Sequence, residues 1–326
     1  MPIKLTLLGL GRLGGSLALR LNANPDLALS GYDGEPEVAQ HAVRQGLLKR
    51  ADWNLRRAVE GADLVLAALP YAELPHVLAA IAPDLRAGCV VAALGPLLGP
   101  PLAWAESRLA ETAYFVAVHP SLNPAHLHTG EVGLAAARAD LFERGLWAMA
   151  PALNCPPEAL KLVADVAHLA GASAYHMDPA EHDGLAAASE GLPALFAAAL
   201  LRAASASPGW EETRKIADRA LATASAALAD ADPVALALNR DNLLRYLDLA
   251  QAELTALRGL LATGNADTAQ NALALALAEA ATLRNAWRYD RQNAAWDLPE
   301  ATAAVVPATG EMIGQMLLGK WGRPRK

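Results

Sequence analysis

Short apolar runs alternate with helix-patterned stretches along the first half of the chain. Each run has the length of a strand, and together they cover residues 3–9, 27–33, 62–70, 88–94 and 114–120, with 146–151 as a further candidate. The stretches between them place apolar residues at helical spacing, as Leu13, Leu17 and Leu21 do. Because short strands that alternate with helices favour right-handed crossovers, the pattern predicts a doubly wound parallel sheet, an α/β architecture.

After Pro151 the pattern becomes almost entirely helical. One short strand is a candidate at 172–177, and the rest predicts helices, including one long amphipathic helix over 232–264 and a partner over 267–292. The Pro-rich segment PALNCPP separates the two patterns. We therefore predict an α/β domain over residues 1–153 and an all-α domain over residues 154–326. A helical domain with surplus apolar surface is expected to bury it in a homodimer.

Composition indicates which partners the protein can bind and in which compartment it is expected. The 326 residues carry a net charge of −7 and no basic stripe that could neutralise phosphates, so we expect no nucleic-acid partner. Cys89 and Cys155 lack the spacing of a disulfide framework or zinc site, which is typical of a reduced, cytoplasmic protein. We expect no signal peptide and no apolar segment of membrane-spanning length.

A glycine-rich loop joins the first predicted strand to the first predicted helix. In GLGRLGGS, Gly9, Gly11 and Gly14 fit the pattern G-x-G-x-x-G. Gly9 permits a tight turn, Gly11 lets the backbone approach a pyrophosphate, and Gly14 lets the helix pack close to the strand. The helix N-terminus then faces the anion. The loop in this context predicts a Rossmann domain that binds a nicotinamide dinucleotide.

Further cofactor-binding candidates lie near this loop or at the ends of neighbouring strands. Arg12 and Leu13 belong to the loop itself, and Leu69 and Pro70 would line the nicotinamide side of the cleft. Asp33, at the end of the second strand, could accept hydrogen bonds from the ribose hydroxyls. An acid at that position repels a 2′-phosphate, so NAD is the predicted cofactor and NADP is less favoured. The alternative for Asp33 is an ordinary turn residue.

The apolar run YFVAVHP ends at a histidine. The unperturbed pKa of histidine lies near working pH, so His119 suits a role in proton transfer. The alternative is a polar residue that ends a strand without catalysis. His126 and His128 follow as H-x-H, but no carboxylate or cysteine lies close by in the sequence, and we predict no metal site.

The order of these motifs resembles the prephenate/arogenate dehydrogenase family over nearly the whole chain. GLGRLGGSLA, GYD, ADLVLAALP, VHP and DPAEHDG, followed by a Leu-Pro helix, occur here in the family's order. The resemblance implies an NAD-binding domain, a helical dimerisation domain like that of 6-phosphogluconate dehydrogenase, and a small-molecule substrate cleft between them. The family reaction, in tyrosine biosynthesis, is an oxidative decarboxylation with hydride transfer to NAD. His119 matches the family histidine that polarises the substrate hydroxyl or accepts its proton.

Two stretches depart from the family pattern. The family usually carries an acid, a serine and a lysine after the fifth strand, whereas residues 92–101 read AALGPLLGPP. Gly191 and Ala194 fall at the two histidine positions of the family's His-Leu-Pro-His helix motif, and Glu190 beside them could face the cleft. We interpret the neighbouring His182 and Asp183, which are retained, as partly structural: a helix-start acid plus a domain contact, with side chains that point in different directions.

The two carboxylates of prephenate call for cations, which the family supplies as an arginine from the helical domain. Arg214 is the first candidate, followed by Arg219 and Arg240, with Arg245 as a further one; the usual exposure of arginine favours a surface helix residue at each position. Two alternatives to this dehydrogenase stay open. One is a related dehydrogenase or reductase for a less charged substrate, which an apolar loop at 92–101 would suit. The other is a catalytically eroded regulatory dimer that binds a dinucleotide.

Overall fold

The computed structural model describes residues 2–109, 111–127, 131–262 and 265–294. Within them, seven strands form one sheet in the order β2-β1-β3-β4-β5-β6-β7. The strands are β1 Ile3–Leu8, β2 Leu27–Tyr32, β3 Leu64–Ala67, β4 Val90–Leu94, β5 Tyr114–Pro120, β6 Leu146–Pro151 and β7 Ser173–His176. The first five strands are parallel, so their carboxyl ends share one edge of the sheet.

β6 runs antiparallel to β5, and β7 runs parallel to β6. The prediction of a parallel sheet is therefore correct for five strands and wrong for the last two. The described residues between β5 and β6 hold two short 3₁₀ turns, Pro124–His126 and Leu134–Ala136, and no α-helix. Because no crossover helix carries the chain back across the sheet, β6 starts from the edge at which β5 ends.

Helices flank the sheet and then form the rest of the described chain. Those within the sheet region are α1 Arg12–Leu21, α2 Pro36–Arg44, α3 Leu55–Val59, α4 Leu74–Ile81, α5 Gly99–Arg108 and α6 Pro157–Leu169. The later ones are α7 Pro179–Ala186, α8 Leu192–Ser205, α9 Trp210–Ile216, α10 Arg219–Ser225, α11 Pro233–Leu238, α12 Arg240–Leu261 and α13 Ala266–Asn293. The predicted Rossmann domain followed by a helical region is confirmed.

Two apolar clusters hold the sheet, one on each face. Every residue of β3 and β4 is buried, as expected for central strands that helices cover on both sides. The sequences of these strands, LVLA and VVAAL, are apolar throughout, because the side chains on both faces are shielded from water.

The sheet continues past the domain boundary that the sequence predicted at 153/154. β7 pairs with β6, which confirms the candidate strand at 172–177 and extends the sheet to His176. The buried face of α6, which includes Val163 and Ala167, belongs to the same apolar cluster as β1. The Pro-rich segment is therefore a turn within the sheet domain, since the residues after it complete the core.

The predicted long helix over 232–264 is two helices that meet at Asn239. α11 starts at Asp232, whose carboxylate accepts the backbone N–H groups of Val234 and Ala235. The side-chain amide of Asn239 donates to the carbonyl oxygen of Asp183 at 2.7 Å, and its backbone leaves the helical region. This contact with α7 stabilises the break, which the apolar period alone does not reveal. α13 confirms the predicted partner helix.

α7 and α8 are joined without interruption by a π-helical turn, Ala187–Gly191. The resulting run, Pro179–Ser205, is long and apolar enough to cross a membrane by length and composition, with 28% of its most apolar window buried. This finding corrects the expectation that no segment reaches such a length. His182 and Asp183 lie near the start of this run, and their side chains are buried against the sheet domain. A helix in the core of a folded protein can meet the same criteria of length and composition.

Candidate active site

The three glycines of the loop after β1 differ in their surroundings. Gly9 has φ +84°, a left-handed conformation that favours glycine. A Cβ at Gly9 would collide with the carbonyl oxygen of Ala68, and one at Gly14 would collide with the carbonyl oxygen of Gly9. A Cβ at Gly11 would meet no atom within 4 Å. The loop is therefore tight at both ends, and it is open at Gly11, at the N-terminus of α1.

Asp33 lies directly after β2 and holds the glycine loop. Its Oδ2 accepts the backbone N–H of Leu10 at 2.7 Å, and its Oδ1 accepts that of Glu35 at 2.9 Å. Each carboxylate oxygen keeps a further lone pair for a ligand hydroxyl. The turn role and a ligand role are thus compatible at the same side chain.

The other cofactor-binding candidates lie around the same edge of the sheet. Arg12 is nearly buried and donates to the carbonyl oxygen of His126 at 3.2 Å, and its guanidinium lies 3.5 Å from the carboxylate of Asp230. Leu13 is half-buried and packs on the core cluster that includes β1. Leu69 and Pro70 follow β3, with Leu69 half-buried beside Gly9 and Pro70 exposed.

His119 ends β5 and contacts a second histidine from the helical region. Its Nδ1 lies 2.8 Å from Nε2 of His182, and the two rings are perpendicular. His182 Nδ1 lies 2.9 Å from Oδ1 of Asp183. His182 and Asp183 are both buried. The expectation that they point in different directions is wrong, because the chain turns both side chains towards the end of the sheet, where they form one hydrogen-bonded series with His119.

The carboxylate of Asp183 also holds the N-terminus of α5. Its Oδ1 accepts the backbone N–H of Leu98 at 2.7 Å, and its Oδ2 accepts that of Gly99 at 3.0 Å. The acid at the start of α7 is instead Asp178, which accepts the N–H groups of Ala180 and Glu181. Asp183 therefore caps a helix of the sheet domain, and the predicted domain contact is made through that cap.

Burial and the neighbouring His182 lower the pKa of His119, while the charge of Asp183 acts in the opposite direction. Desolvation is the largest cause, because the protonated ring loses more hydration than the neutral ring. His119 is therefore neutral at neutral pH. A neutral imidazole carries one lone pair, so this side chain can accept a proton.

The apolar loop at 92–101 is held by its backbone. The Tyr71 hydroxyl donates to the carbonyl oxygen of Leu97 at 2.5 Å and accepts the N–H of the same residue at 2.9 Å. The backbone N–H of Tyr71 donates to Asp232 at 3.0 Å, which ties this corner to α11. Burial raises the pKa of Tyr71, so its hydroxyl stays protonated as a donor. The loop needs no polar side chain to keep its shape.

A cavity of about 120 Å³ lies between this loop and the π-helical turn. Leu97 lines one side, and the other sides include Glu190, Asp230 and the two positions Gly191 and Ala194. Desolvation and the charge of Asp230 raise the pKa of Glu190, while His182 lowers it. Among the described residues that line the cavity, none is basic. The cavity is apolar on the sheet side and acidic on the helical side.

The structure does not bring the predicted arginines to this cavity. Arg214 pairs with Glu211, Arg240 lies 3.6 Å from Asp241, and Arg219 is exposed. The guanidinium of Arg245 stacks over its neighbour Tyr246 at 4.9 Å. Their role in substrate binding stays a prediction.

Of the H-x-H segment, the structure describes His126. His126 pairs with the carboxylate of Asp140 at 2.9 Å, and His128 lies outside the described residues. Within the described ranges, no group of three or more histidine, cysteine, aspartate or glutamate side chains could hold a metal ion.

Sequence reasoning missed three contributors to this site: Tyr71, the link between His182 and His119, and Arg291. Arg291, near the end of α13, is buried and donates to Ser121 Oγ at 3.3 Å and to the carbonyl oxygen of Leu122. It therefore holds the segment that follows His119. All three depend on contacts between residues that are distant in the chain, and no local motif marks them.

Comparisons with known proteins identify the sheet domain. Residues 16–176 match the family described as "Prephenate dehydrogenase, nucleotide-binding domain". Prephenate dehydrogenase of Bacillus subtilis is 26% identical over 204 residues, which are 62% of this chain and 53% of that protein. Cyclohexadienyl dehydrogenase of Zymomonas mobilis is 27% identical over 198 residues, 60% of this chain and 66% of that protein. The chain thus spans about half to two thirds of the length of these relatives.

Solved structures extend the likeness to the helical region. Prephenate dehydrogenase from Aquifex aeolicus, in complex with hydroxyphenyl propionate and NAD⁺, superposes with a TM-score of 0.73 at 21% identity, over 87% of this chain and 98% of that one. Synechocystis arogenate dehydrogenase gives 0.67 at 21% identity, over 87% and 100%. These likenesses show a shared fold. Residues 16–176 of the chain are thus similar to the nucleotide-binding domain of prephenate dehydrogenase.

Proposed function

We propose that this protein is an NAD-dependent dehydrogenase that oxidatively decarboxylates prephenate or arogenate, a step of tyrosine biosynthesis. The observation that carries the proposal is His119, a neutral and half-buried histidine at the carboxyl end of β5. It lies at the same edge of the sheet as the glycine loop after β1. Ligands of doubly wound sheets bind at that edge, so a dinucleotide and the histidine would share one cleft.

The residues of the loop fit a dinucleotide. Gly11 leaves open space where any side chain would stand, and the N-terminus of α1 offers backbone N–H groups to a pyrophosphate. Asp33 would accept hydrogen bonds from ribose hydroxyls, and its charge would disfavour the 2′-phosphate of NADP. Arg12, Leu13, Leu69 and Pro70 would complete the walls on either side.

When bound, NAD⁺ supplies the nicotinamide carbon that accepts a hydride. His119 accepts the proton of the substrate's ring hydroxyl as hydride leaves the carbon that bears it. The bond to the ring carboxylate then breaks, its electron pair enters the ring, and carbon dioxide departs. The loop at 95–99 would present apolar groups to this side of the cleft, since Pro96 and Leu97 line the neighbouring cavity.

Substrate choice within the family class follows from the cavity lining. Arogenate carries an ammonium group where prephenate carries a keto group, and the carboxylates of Glu190 and Asp230 suit a cation. The substrate carboxylates still need basic partners. Arg214, Arg219 and Arg240 remain the proposed sources, from this chain or from a second copy. Considered by itself, the apolar loop at 92–101 favours a less charged substrate.

We also propose a homodimer through the helical region, in the cytoplasm. Large apolar side chains are exposed along two helices: Leu244, Leu249, Leu254 and Leu261 of α12, and Leu275, Leu277, Leu283 and Trp287 of α13. A second copy that covers them would remove this surface from water. Light scattering of the purified protein tests the proposal, with twice the chain mass expected; a monomer at micromolar concentration would contradict it.

The function is tested by following NADH absorbance with purified protein, NAD⁺ and either prephenate or arogenate. Turnover with one of them is expected, and the ratio of the two kcat/KM values reports the preference. Absence of turnover with both, while NADH still binds, would favour a reductase for another substrate or a regulatory protein. Each substrate is compared in the same protein preparation, so a loss of folding cannot explain a difference.

A further inference from the structure

We infer that His182 and Asp183 are positioning residues that fix the tautomer of His119, so that its Nε2 carries the lone pair. The inference rests on the proposed function for its kinetic consequences, but its structural content concerns only these side chains. The series runs from Asp183 Oδ1 to His182 Nδ1 at 2.9 Å and from His182 Nε2 to His119 Nδ1 at 2.8 Å.

The direction of the hydrogen bonds is set at the Asp183 end. A carboxylate is an acceptor only, and Asp183 already accepts the N–H groups of Leu98 and Gly99 at the start of α5. The positive end of that helix favours the charged carboxylate. The proton between Asp183 and His182 therefore lies on Nδ1 of His182.

The same reasoning applies to the hydrogen bond between His182 and His119. A neutral His182 with its proton on Nδ1 has a lone pair on Nε2, which must accept from His119. His119 then carries its proton on Nδ1 and its lone pair on Nε2. In the described part of the chain no hydrogen bond to His119 Nε2 is formed, so this nitrogen is the one left for a substrate hydroxyl.

The arrangement has a chemical consequence for proton transfer. When His119 accepts a proton on Nε2, the new positive charge can be shared through His182 towards the Asp183 carboxylate. A buried imidazolium is otherwise costly, because burial opposes its charge. The pair therefore supplies both the correct tautomer and a counter-charge, as the third member does in other histidine-based sites.

The roles of His182 and Asp183 should be visible in the pH dependence of activity, because titratable groups surround His119. The charge of Asp183 raises the pKa of His119, and a protonated His182 would lower it; both residues lie on α7, and Glu190 lies on the π-helical turn that follows. Loss of activity on the acidic side reports protonation of His119. Removing Asp183 takes away a charge that raises the pKa of His119. Removing His182 takes away the neutral acceptor that links the His119 ring to that charge.

The first test is independent of activity. Nitrogen-15 spectra of the eight histidines are recorded at neutral pH, and the His119 ring is assigned from its absence in His119→Gln. A protonated Nδ1 and an unprotonated Nε2 are expected. A His119 ring protonated on Nε2 would overturn the inference whether or not the protein is active. The expected tautomer in a protein that turns over neither substrate would leave the inference standing and contradict the proposed function.

The second test compares two substitutions. His182→Phe keeps the ring volume and leaves Asp183 bound to α5, and Asp183→Asn removes the negative charge while keeping the shape of the side chain. Both should lower kcat by roughly 10²-fold or more without changing NADH affinity. The acidic limb of kcat/KM should move to lower pH in both variants, because each loses part of the path that stabilises the protonated His119 ring. An unchanged limb in both variants, or a move to higher pH, would contradict a role in positioning His119.

The matched control is Asp178→Ala, which removes the N-terminal cap of the same helix without touching the series. It should lower the free energy of unfolding and leave the position of the acidic limb unchanged. If Asp178→Ala also moves the limb, the effect of the other variants comes from loosening α7, and the inference fails.

Discussion

The cofactor side and the proposed substrate side of the cleft are built in different ways. On the cofactor side, a local stretch of sequence shapes the backbone: Gly9, Gly11 and Gly14 form a tight loop that is open at its centre. On the substrate side, the loop at 95–99 has no polar side chain of its own. It is fixed by groups from distant parts of the chain, Tyr71 and Asp183.

This difference explains why family motifs persist on one side and change on the other. A loop that binds through backbone N–H groups depends on glycines at fixed positions, since any Cβ would fill the space. A loop held by tertiary hydrogen bonds can change its own side chains without losing its shape. The substrate side can therefore lose the family's acid, serine and lysine while the fold stays the same.

The largest effect is expected when a side chain fills the open centre of the glycine loop, which tests whether the cofactor side depends on its backbone. Gly11→Val should abolish NADH binding, because its side chain would occupy the space that the pyrophosphate needs. Fluorescence titration with NADH measures the effect. Gly259→Val is the matched control, since Gly259 on α12 is also open and lies outside the loop. Unchanged NADH affinity in Gly11→Val would contradict the role of the loop.

His119→Ala should separate catalysis from cofactor binding. We expect kcat to fall by about 10²- to 10⁴-fold, the usual contribution of a positioned acid or base. NADH affinity should not change, because the hydrogen bond that the ring makes goes to His182 and not to the glycine loop. Steady-state rates and NADH titration are measured together, with His41→Ala, an exposed histidine of α2, as the control. Full activity in His119→Ala would exclude the catalytic role.

The sequence predicted the elements better than it predicted their contacts. The apolar runs locate all seven strands, and the clearest are β3 and β4, because a strand that is buried on both faces needs an unbroken apolar segment. The end of the sheet domain was misjudged, since a Pro-rich turn resembles a linker whether or not the next helix packs on the same core. The break at Asn239 was missed because it depends on a hydrogen bond to Asp183, which is 56 residues away.

The candidate site shows the same limit. The glycine loop, Asp33 and His119 were predicted, because each lies at the end of an apolar run within a recognisable motif. The contact between His119 and His182 spans 63 residues and depends on how α7 packs against the sheet. No spacing rule relates two residues on different domains, so only the fold reveals their series with Asp183.

A smaller effect is expected from loosening the loop on the substrate side. Tyr71→Phe removes the hydroxyl that bonds both the N–H and the carbonyl group of Leu97, and leaves them buried without that partner. The free energy of unfolding should fall by about 1–3 kcal/mol. Urea unfolding measures it, with the exposed Tyr289→Phe as the control. NADH affinity should be unchanged, and a loss of affinity would show that the two sides of the cleft are coupled.

The smallest expected effect concerns cofactor choice at Asp33. Asp33→Ser removes the charge that would repel a 2′-phosphate, so the ratio of NAD to NADP affinity should fall by roughly tenfold, about 1.4 kcal/mol. The carboxylate also holds the N–H of Leu10, so some loss of affinity for both cofactors should accompany the change. Asp33→Asn separates the two effects, because its amide oxygen can keep the bond to Leu10 without the charge. If Asn and Ser variants lose affinity equally for both cofactors and keep the original ratio, Asp33 acts only on the shape of the loop.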